Sequence, residues 1–322
     1  MTSAVRLERM TKSYGKNRGV ADLDLEVEPG CVFGFLGPNG AGKTTTIRVL
    51  LDLIRPTSGR ALVFGLDSRR ESMAIRRRSG YLPGELSLYG RLTGDETLRY
   101  FANLRGGVDP RSVHVLCQRL DFDAGKKVAD LSTGNKRKLG LIQALMHRPE
   151  LLILDEPTAG LDPLVQHEFH HLIEEAREAG QTVFLSSHVL PEVQRVCDRV
   201  AFVREGELVA VEDVAALTGR AVREVEVTFA APVPPAAFEG VDGVTSVTAN
   251  RTGPGAAGAQ TLRLTVSGSL DATVKMLARY EVVTMTSREP DLEDLFLTFY
   301  GERPGHAGRS PSGAGEEAGD AA

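Results

Sequence analysis

Apolar residues in this chain follow two patterns that take turns. Between Asp22 and Glu28 acidic and apolar residues alternate, which predicts a strand with one wet face. Pro29-Gly30 then predicts a turn into the apolar run Cys31 to Leu36. A second continuous run, Leu151-Leu152-Ile153-Leu154, ends in Asp155-Glu156 and suits a parallel strand covered on both faces. Shorter strand signals stand at Arg60 to Phe64, Ser79 to Leu82, Thr182 to Ser186 and Arg199 to Arg204. Between them the spacing turns helical, at Thr45 to Leu51, Arg111 to Leu120, Lys136 to His147, Pro163 to Ala179 and Pro191 to Cys197. Thr93 is a natural N-cap for a helix carrying Leu98, Phe101 and Leu104. The basic stretch from Arg69 to Arg78 reads as the solvated face of a helix. Strand–helix alternation of this kind predicts an α/β domain, with a helical insertion between Thr93 and Leu120.

The pattern changes after about residue 217. Arg223 to Phe229 and Thr261 to Val266 alternate like half-exposed strands, and Leu270 to Leu277 and Asp291 to Phe299 have helical spacing. We therefore expect a first domain over 1–217 and a small α+β domain over 218–300. Gly253 to Gly258 reads as a loop, and the Gly/Ala/Ser/Pro-rich stretch 301–322 as a disordered tail. The 322 residues suffice for that division, and 42% hydrophobic with 25% charged residues describes an ordinary globular composition. A net charge of −5 gives no general drive toward nucleic acid, so no nucleic-acid partner is expected. Cys31, Cys117 and Cys197 lie far apart without metal-ligand spacing, as buried thiols of a reducing compartment would. Met1 to Met10 lacks the apolar core of a secretory signal, and no stretch reaches the roughly eighteen apolar residues of a membrane span.

The chemistry begins at Gly37-Pro38-Asn39-Gly40-Ala41-Gly42-Lys43-Thr44, a G-x-x-x-x-G-K-T loop between the Cys31–Leu36 run and a helix containing Thr45. Glycines let successive N–H groups turn inward as an anion cradle, and the helix adds its positive end. Lys43 supplies a charge for the β- and γ-phosphates, and the Thr44 hydroxyl a ligand for Mg²⁺. Asp155-Glu156 ends a buried strand, where one carboxylate can hold Mg²⁺ and the other polarise an attacking water. Leu131-Ser132-Thr133-Gly134-Asn135 precedes a helix whose N–H groups offer a second phosphate contact. Tyr14 reads as a loop aromatic that either stacks on a purine or packs on its neighbours.

In this order the motifs from Val5 to about Leu217 resemble the ATP-binding subunits of ABC transporters. The resemblance implies a P-loop ATPase fold: a parallel core sheet, an N-terminal antiparallel β subdomain and a helical insertion. It implies ATP and Mg²⁺ as ligands. It makes Tyr14 the adenine-stacking aromatic, Gly37 to Thr44 Walker A, and Leu131 to Asn135 the signature, with Ser132, Gly134 and Asn135 on phosphate. Leu151 to Glu156 becomes Walker B with Asp155 at the metal and Glu156 catalytic, Ala159 to Asp162 the D-loop, and His188 the switch histidine at the γ-phosphate. Two departures stand out. Thr133 and Asn135 replace the usual Gly and Gln of the signature, and Gly84 stands where the family usually has a glutamine reaching the metal and attacking water. Either Glu85 or water substitutes there, or sensing is weaker.

The family works as a head-to-tail pair in which each ATP lies between one subunit's Lys43 loop and the other's Ser132 loop. With one Walker A, this chain is expected to pair with a second copy or a similar subunit, and to act on a polytopic membrane subunit from the cytoplasmic face. Asn135 to Leu141 and Glu289 to Phe296 are similar to drug-efflux ATPases of bacterial exporters, in which ATPase and membrane subunits are separate chains. The rival class, ABC ATPases acting on DNA or ribosomes, often carries tandem ATPase halves or long coiled-coil insertions, and neither occurs here. His167-Glu168-Phe169-His170-His171 matches H-E-x-x-H, but Glu174 stands at the glycine of the longer metal-binding motif, so a solvated helix face is expected.

Overall fold

The computed structural model describes residues 2–15, 17–220, 223–250 and 260–288. In chain order the elements are β1 (Val5–Tyr14), β2 (Asn17–Val27), β3 (Val32–Leu36), α1 (Lys43–Leu50), β4 (Ser58–Val63), β5 (Leu66–Asp67), α2 (Ser72–Arg78) and β6 (Ser79–Leu82). Then come α3 (Gly94–Leu104), α4 (Pro110–Arg119), α5 (Thr133–Leu145), β7 (Leu151–Asp155), α6 (Pro163–Glu178), β8 (Thr182–Ser187), α7 (Leu190–Val196), β9 (Arg199–Arg204), β10 (Glu207–Asp213) and α8 (Val214–Arg220). The last group is β11 (Arg223–Phe229), β12 (Val244–Asn250), β13 (Gln260–Val266), α9 (Asp271–Leu277) and β14 (Val282–Arg288).

The central sheet runs β10-β9-β3-β8-β7-β6. Its five strands from β9 to β6 are parallel, and β10 joins antiparallel. Both faces are covered, which is why β3 and β7 read as unbroken apolar runs. Leu152, Leu154, Val183 and Leu185 point into one core, which also holds Leu139, Leu141 and Ile142 of α5 and Phe169 and Ile173 of α6. Their neighbours Leu151, Ile153 and Phe184 point into a second core with Phe33 and Phe35, Ile47 of α1, and the apolar side of β1 and β2. That second core is roofed by an antiparallel sheet, β2-β1-β4-β5. The Asp22 to Glu28 alternation belongs to it: Leu23, Leu25 and Val27 are buried.

Helix starts follow local chemistry. Thr93 and Glu96 form a capping box on α3, and Asp109 and Asp162 cap α4 and α6, each followed by proline at the first position. Thr93→Ala removes the side-chain half of that box and is expected to cost about 1 kcal/mol, read as a lowered Tm. α5 begins at Thr133 rather than Lys136, because the Ser132 hydroxyl accepts the Asn135 N–H at 3.3 Å and draws Thr133, Gly134 and Asn135 into the first turn. β5, β10, β12 and β14 had no clear periodic signal. β10 returns on β9 through Glu205-Gly206, both at positive φ (51° and 82°), a turn suited to a tight hairpin.

The C-terminal sheet, β12-β13-β11-β14, is antiparallel throughout and has its own core of Val225, Val227, Phe229, Phe238, Leu262 and Leu264. The expected loop 253–258, helix 291–299, 289–296 motif and tail 301–322 lie outside the described residues.

Two histidines sit neutral in the fold. Burial holds both His147 and His170 down to about 4 from the ordinary 6.5, and neither His170 ring nitrogen has a hydrogen-bond partner among the described residues. The unfolded chain therefore binds more protons between these limits, so this contribution to stability is complete above about pH 6.5 and fades as pH falls toward 4. Tm should drop across that window, and His170→Leu should flatten the slope.

Candidate active site

β3 ends at Leu36 and α1 starts at Lys43, so residues 37–42 close the space between a central parallel strand and a helix start. Gly42 takes φ 100°, and a Cβ there would stand 2.6 Å from the Gly19 carbonyl oxygen, so only glycine fits. The loop is propped from distant chain: the Gly37 N–H donates to the Ser187 carbonyl at 3.3 Å, and the Gly206 N–H to the Ala41 carbonyl at 3.2 Å.

Three strand ends then converge. Lys43 is nearly buried, and its Nζ donates to the carbonyls of Gly37 (2.6 Å) and Pro38 (3.3 Å). The same Nζ lies 3.3 Å from Glu156 Oε1, an ion pair that leaves this buried oxygen without an aligned hydrogen bond. The Thr44 hydroxyl donates to Asp155 Oδ2 at 2.8 Å, while the Ser186 hydroxyl donates to Oδ1. Asp155 is fully buried between them. Glu156 follows at φ 51°, a left-handed conformation uncommon for its type, fixed by its N–H donating to the Ser186 carbonyl at 3.1 Å. That turn aims its carboxylate out of the strand, where Oε2 meets His188 Nδ1 at 2.8 Å.

This donor set suits a polyphosphate and a divalent cation. A buried ammonium and the N–H groups of a helix start accept oxyanions. A hydroxyl beside a fixed carboxylate supplies hard oxygen ligands for Mg²⁺. The position, beyond the carboxyl ends of adjacent parallel strands β3, β8 and β7, is where open α/β sheets bind ligands.

Comparison with known proteins agrees. The ABC transporter family profile matches residues 20–159. The bacitracin transport ATP-binding protein BcrA of Bacillus licheniformis is 41% identical over 211 residues, spanning 65% of this chain and 69% of that protein. The chain belongs to the ABC transporter ATP-binding family. The probable multidrug ABC transporter ATP-binding protein YbhF of Escherichia coli K12 is 37% identical over 213 residues, 65% of this chain but 37% of that longer protein. Among solved structures, an ATP binding subunit of an ABC transporter superposes with a TM-score of 0.62 at 27% identity, over 67% of this chain and 92% of that one. The dimeric ATP-binding cassette MJ0796 in a post-hydrolysis state with ADP and Pi gives 0.61 at 22% identity, over 65% and 98%, a likeness of fold.

Within this ABC ATPase the predicted residues fall into two groups. Lys43, Thr44, Asp155, Glu156 and His188 are joined by direct contacts. Tyr14 stands near them at the end of β1 rather than in a loop. A Cβ on Gly19 would meet its ring at 2.9 Å, and the Gly19 carbonyl in turn abuts Gly42, so Tyr14 is one residue removed from the phosphate loop, with half its surface exposed. Ser132, Gly134 and Asn135 form the second group. Asn135 donates to the Ser132 hydroxyl from backbone (3.3 Å) and side chain (3.1 Å), and a Gly134 Cβ would lie 2.7 Å from the Gly160 carbonyl. Among the described residues no hydrogen bond joins this group to the Lys43 loop.

Sequence reading missed Ser186 and Glu192. Glu192 on α7 accepts the hydroxyls of Thr158 and Ser187, tying the chain after Glu156 to the residue before His188. The only signal for Ser186 was its place two residues before His188, and Glu192 gave none. Glu85 is exposed and makes no polar contact among the described residues. In the H-E-x-x-H segment, Glu168 bonds Arg119 and His171 pairs with Glu174, so these side chains serve the surface of α6.

Proposed function

We propose that this chain powers export of a small molecule through a separate membrane subunit, by closing onto a second copy of itself when ATP binds and reopening after hydrolysis. The observation that carries the reading is the contact cluster of Lys43, Thr44–Asp155 and Glu156–His188 at one strand-end crevice. Gly37 to Thr45 wrap the phosphates, Lys43 neutralises them, and Tyr14 stacks on the base. Thr44 and Asp155 would hold Mg²⁺, which when bound would supply charge stabilisation to the transferring phosphoryl group. Glu156 takes a proton from the attacking water as general base, and His188 orients its Oε2. Ser132, Gly134 and Asn135 of the opposite copy complete each site, in keeping with the lack, among the described residues, of any hydrogen bond from them to their own Lys43 loop.

Bacitracin and multidrug transport stand in the names of similar proteins and favour an antibiotic or drug as cargo. No helix among the described residues is long and apolar enough to cross a membrane. The transport ATP-binding proteins to which the chain is similar favour a peripheral subunit at the cytoplasmic face, with the pore in another chain. Residues 1–217 make the ATPase and 218–300 an accessory domain with its own core. Affinity capture of the full chain from membranes tests the assignment. Recovery of a polytopic subunit whose presence raises ATPase activity is expected, and recovery with ribosomes or DNA alone would overturn it.

A further inference from the structure

Gly84, where the family's usual glutamine is missing, is held by a cation from the signature helix. Arg137 on α5 is 7% exposed. Its Nη1 donates to the Pro83 carbonyl at 2.8 Å, its Nη2 to the Gly84 carbonyl at 3.0 Å, and its Nε to the Ala159 carbonyl at 3.5 Å. One guanidinium thus joins the loop after β6, the turn that follows Glu156, and the helix capped by Ser132. No carboxylate lies within ion-pair distance of it among the described residues. Burial draws its pKa down, while the charges of Asp155 and Glu156 hold it up.

The far side of the Gly84 loop faces Asp155. A Cβ at Gly84 would stand 3.1 Å from Asp155 Oδ2 and 3.4 Å from its Cγ, so a side chain at this position would press on that carboxylate. Arg137 on one side and Asp155 on the other leave this loop little freedom. A buried cation satisfied only by carbonyls is costly compared with an apolar side chain of similar volume. Its planar fork, however, fixes three backbone segments at defined angles, which a lysine cannot do.

We propose that Arg137 is a positioning residue that transmits engagement of Ser132 to Asp155 and Glu156 of the same chain. The inference rests on the paired reading above, in which Ser132 serves the ATP held by the opposite copy while Asp155 and Glu156 serve the chain's own. Ser132 and Arg137 lie less than two turns apart on one helix, so a shift of the α5 start moves the guanidinium with it. The carbonyls of Gly84 and Ala159 follow. The two ATP sites of a pair are thereby coupled through each chain by a contact that needs no side chain at position 84.

A double-mutant cycle on the full chain tests this, with Arg137→Lys chosen because it keeps a cation in the fold. ATP affinity, read with a fluorescent analogue, should stay within about twofold, since the Lys43 loop is untouched, while kcat should fall about 10- to 100-fold from misplacement alone. Ser132→Ala should lower kcat about tenfold in the parent chain, yet by less than about twofold once Arg137 is lysine. Multiplying effects, or Arg137→Lys turnover within about twofold of the parent, would overturn the proposal. A parallel arm adds ATP to Glu156→Gln. A chain that stays monomeric there overturns the paired reading and transmission with it, whereas dimers combined with multiplying effects overturn transmission alone.

Discussion

Lys43→Ala is expected to weaken ATP binding by at least about 100-fold, or about 3 kcal/mol, while the chain stays folded. The loss is large because the ammonium is nearly buried and its present partners are two carbonyls and one carboxylate, none of which can take over an anion's charge. The fold survives because the loop is held by backbone contacts that do not pass through the side chain: Gly37 to Ser187, Ala41 to Gly206, and Gly42 against Gly19. Equilibrium binding of a fluorescent ATP analogue, alongside a thermal melt, separates the two effects. Unchanged binding would refute the phosphate-loop assignment.

Glu156→Gln should lower turnover by about 10²- to 10⁴-fold and leave nucleotide binding intact. The amide is isosteric, so the left-handed backbone at φ 51° and its bonds to Ser186 are kept. Lost are the proton-accepting oxygen and the ion pair to Lys43. With binding preserved and hydrolysis blocked, ATP should trap the closed pair, seen as a shift to dimer on size exclusion that reverses when ATP is removed. Single-turnover phosphate release gives the chemical rate directly. Near-normal release would move the catalytic role to another carboxylate. Glu85 would then have to travel, since it is exposed and without polar contacts.

What was legible in the sequence follows from the range of the forces involved. The phosphate loop, the two carboxylates after β7 and the helix cap at Thr93 are local signals, since turn, strand and cap chemistry are written within a few residues. Of the five parallel strands, β3 and β7 were the most legible, because burial on both faces leaves unbroken apolar runs. β12 and β14 were not, for β14 is exposed along its length and carries little apolar alternation. Signature residues Thr133 to Asn135 looked like a loop because glycine and threonine are weak helix formers, and the Ser132 cap overrode that preference. Ser186, Glu192 and Arg137 act over separations of about thirty residues or more, to Asp155, Thr158 and Gly84. No local periodicity carries such pairings.

The props of the phosphate loop also set when it can exist during synthesis. Its floor is β3, whose neighbours β8 and β9 are added about 150 residues later, and its first N–H waits for Ser187 and its Ala41 carbonyl for Gly206. A nascent chain that has exposed only the Walker A segment therefore has the letters of a nucleotide site without its shape. ATP binding should appear abruptly once residues to about 206 have cleared the ribosome, after the helical insertion is already out. Until then β3 lacks both of its partner strands, and the unfinished ATPase has no nucleotide site through which its own ligand could stabilise it.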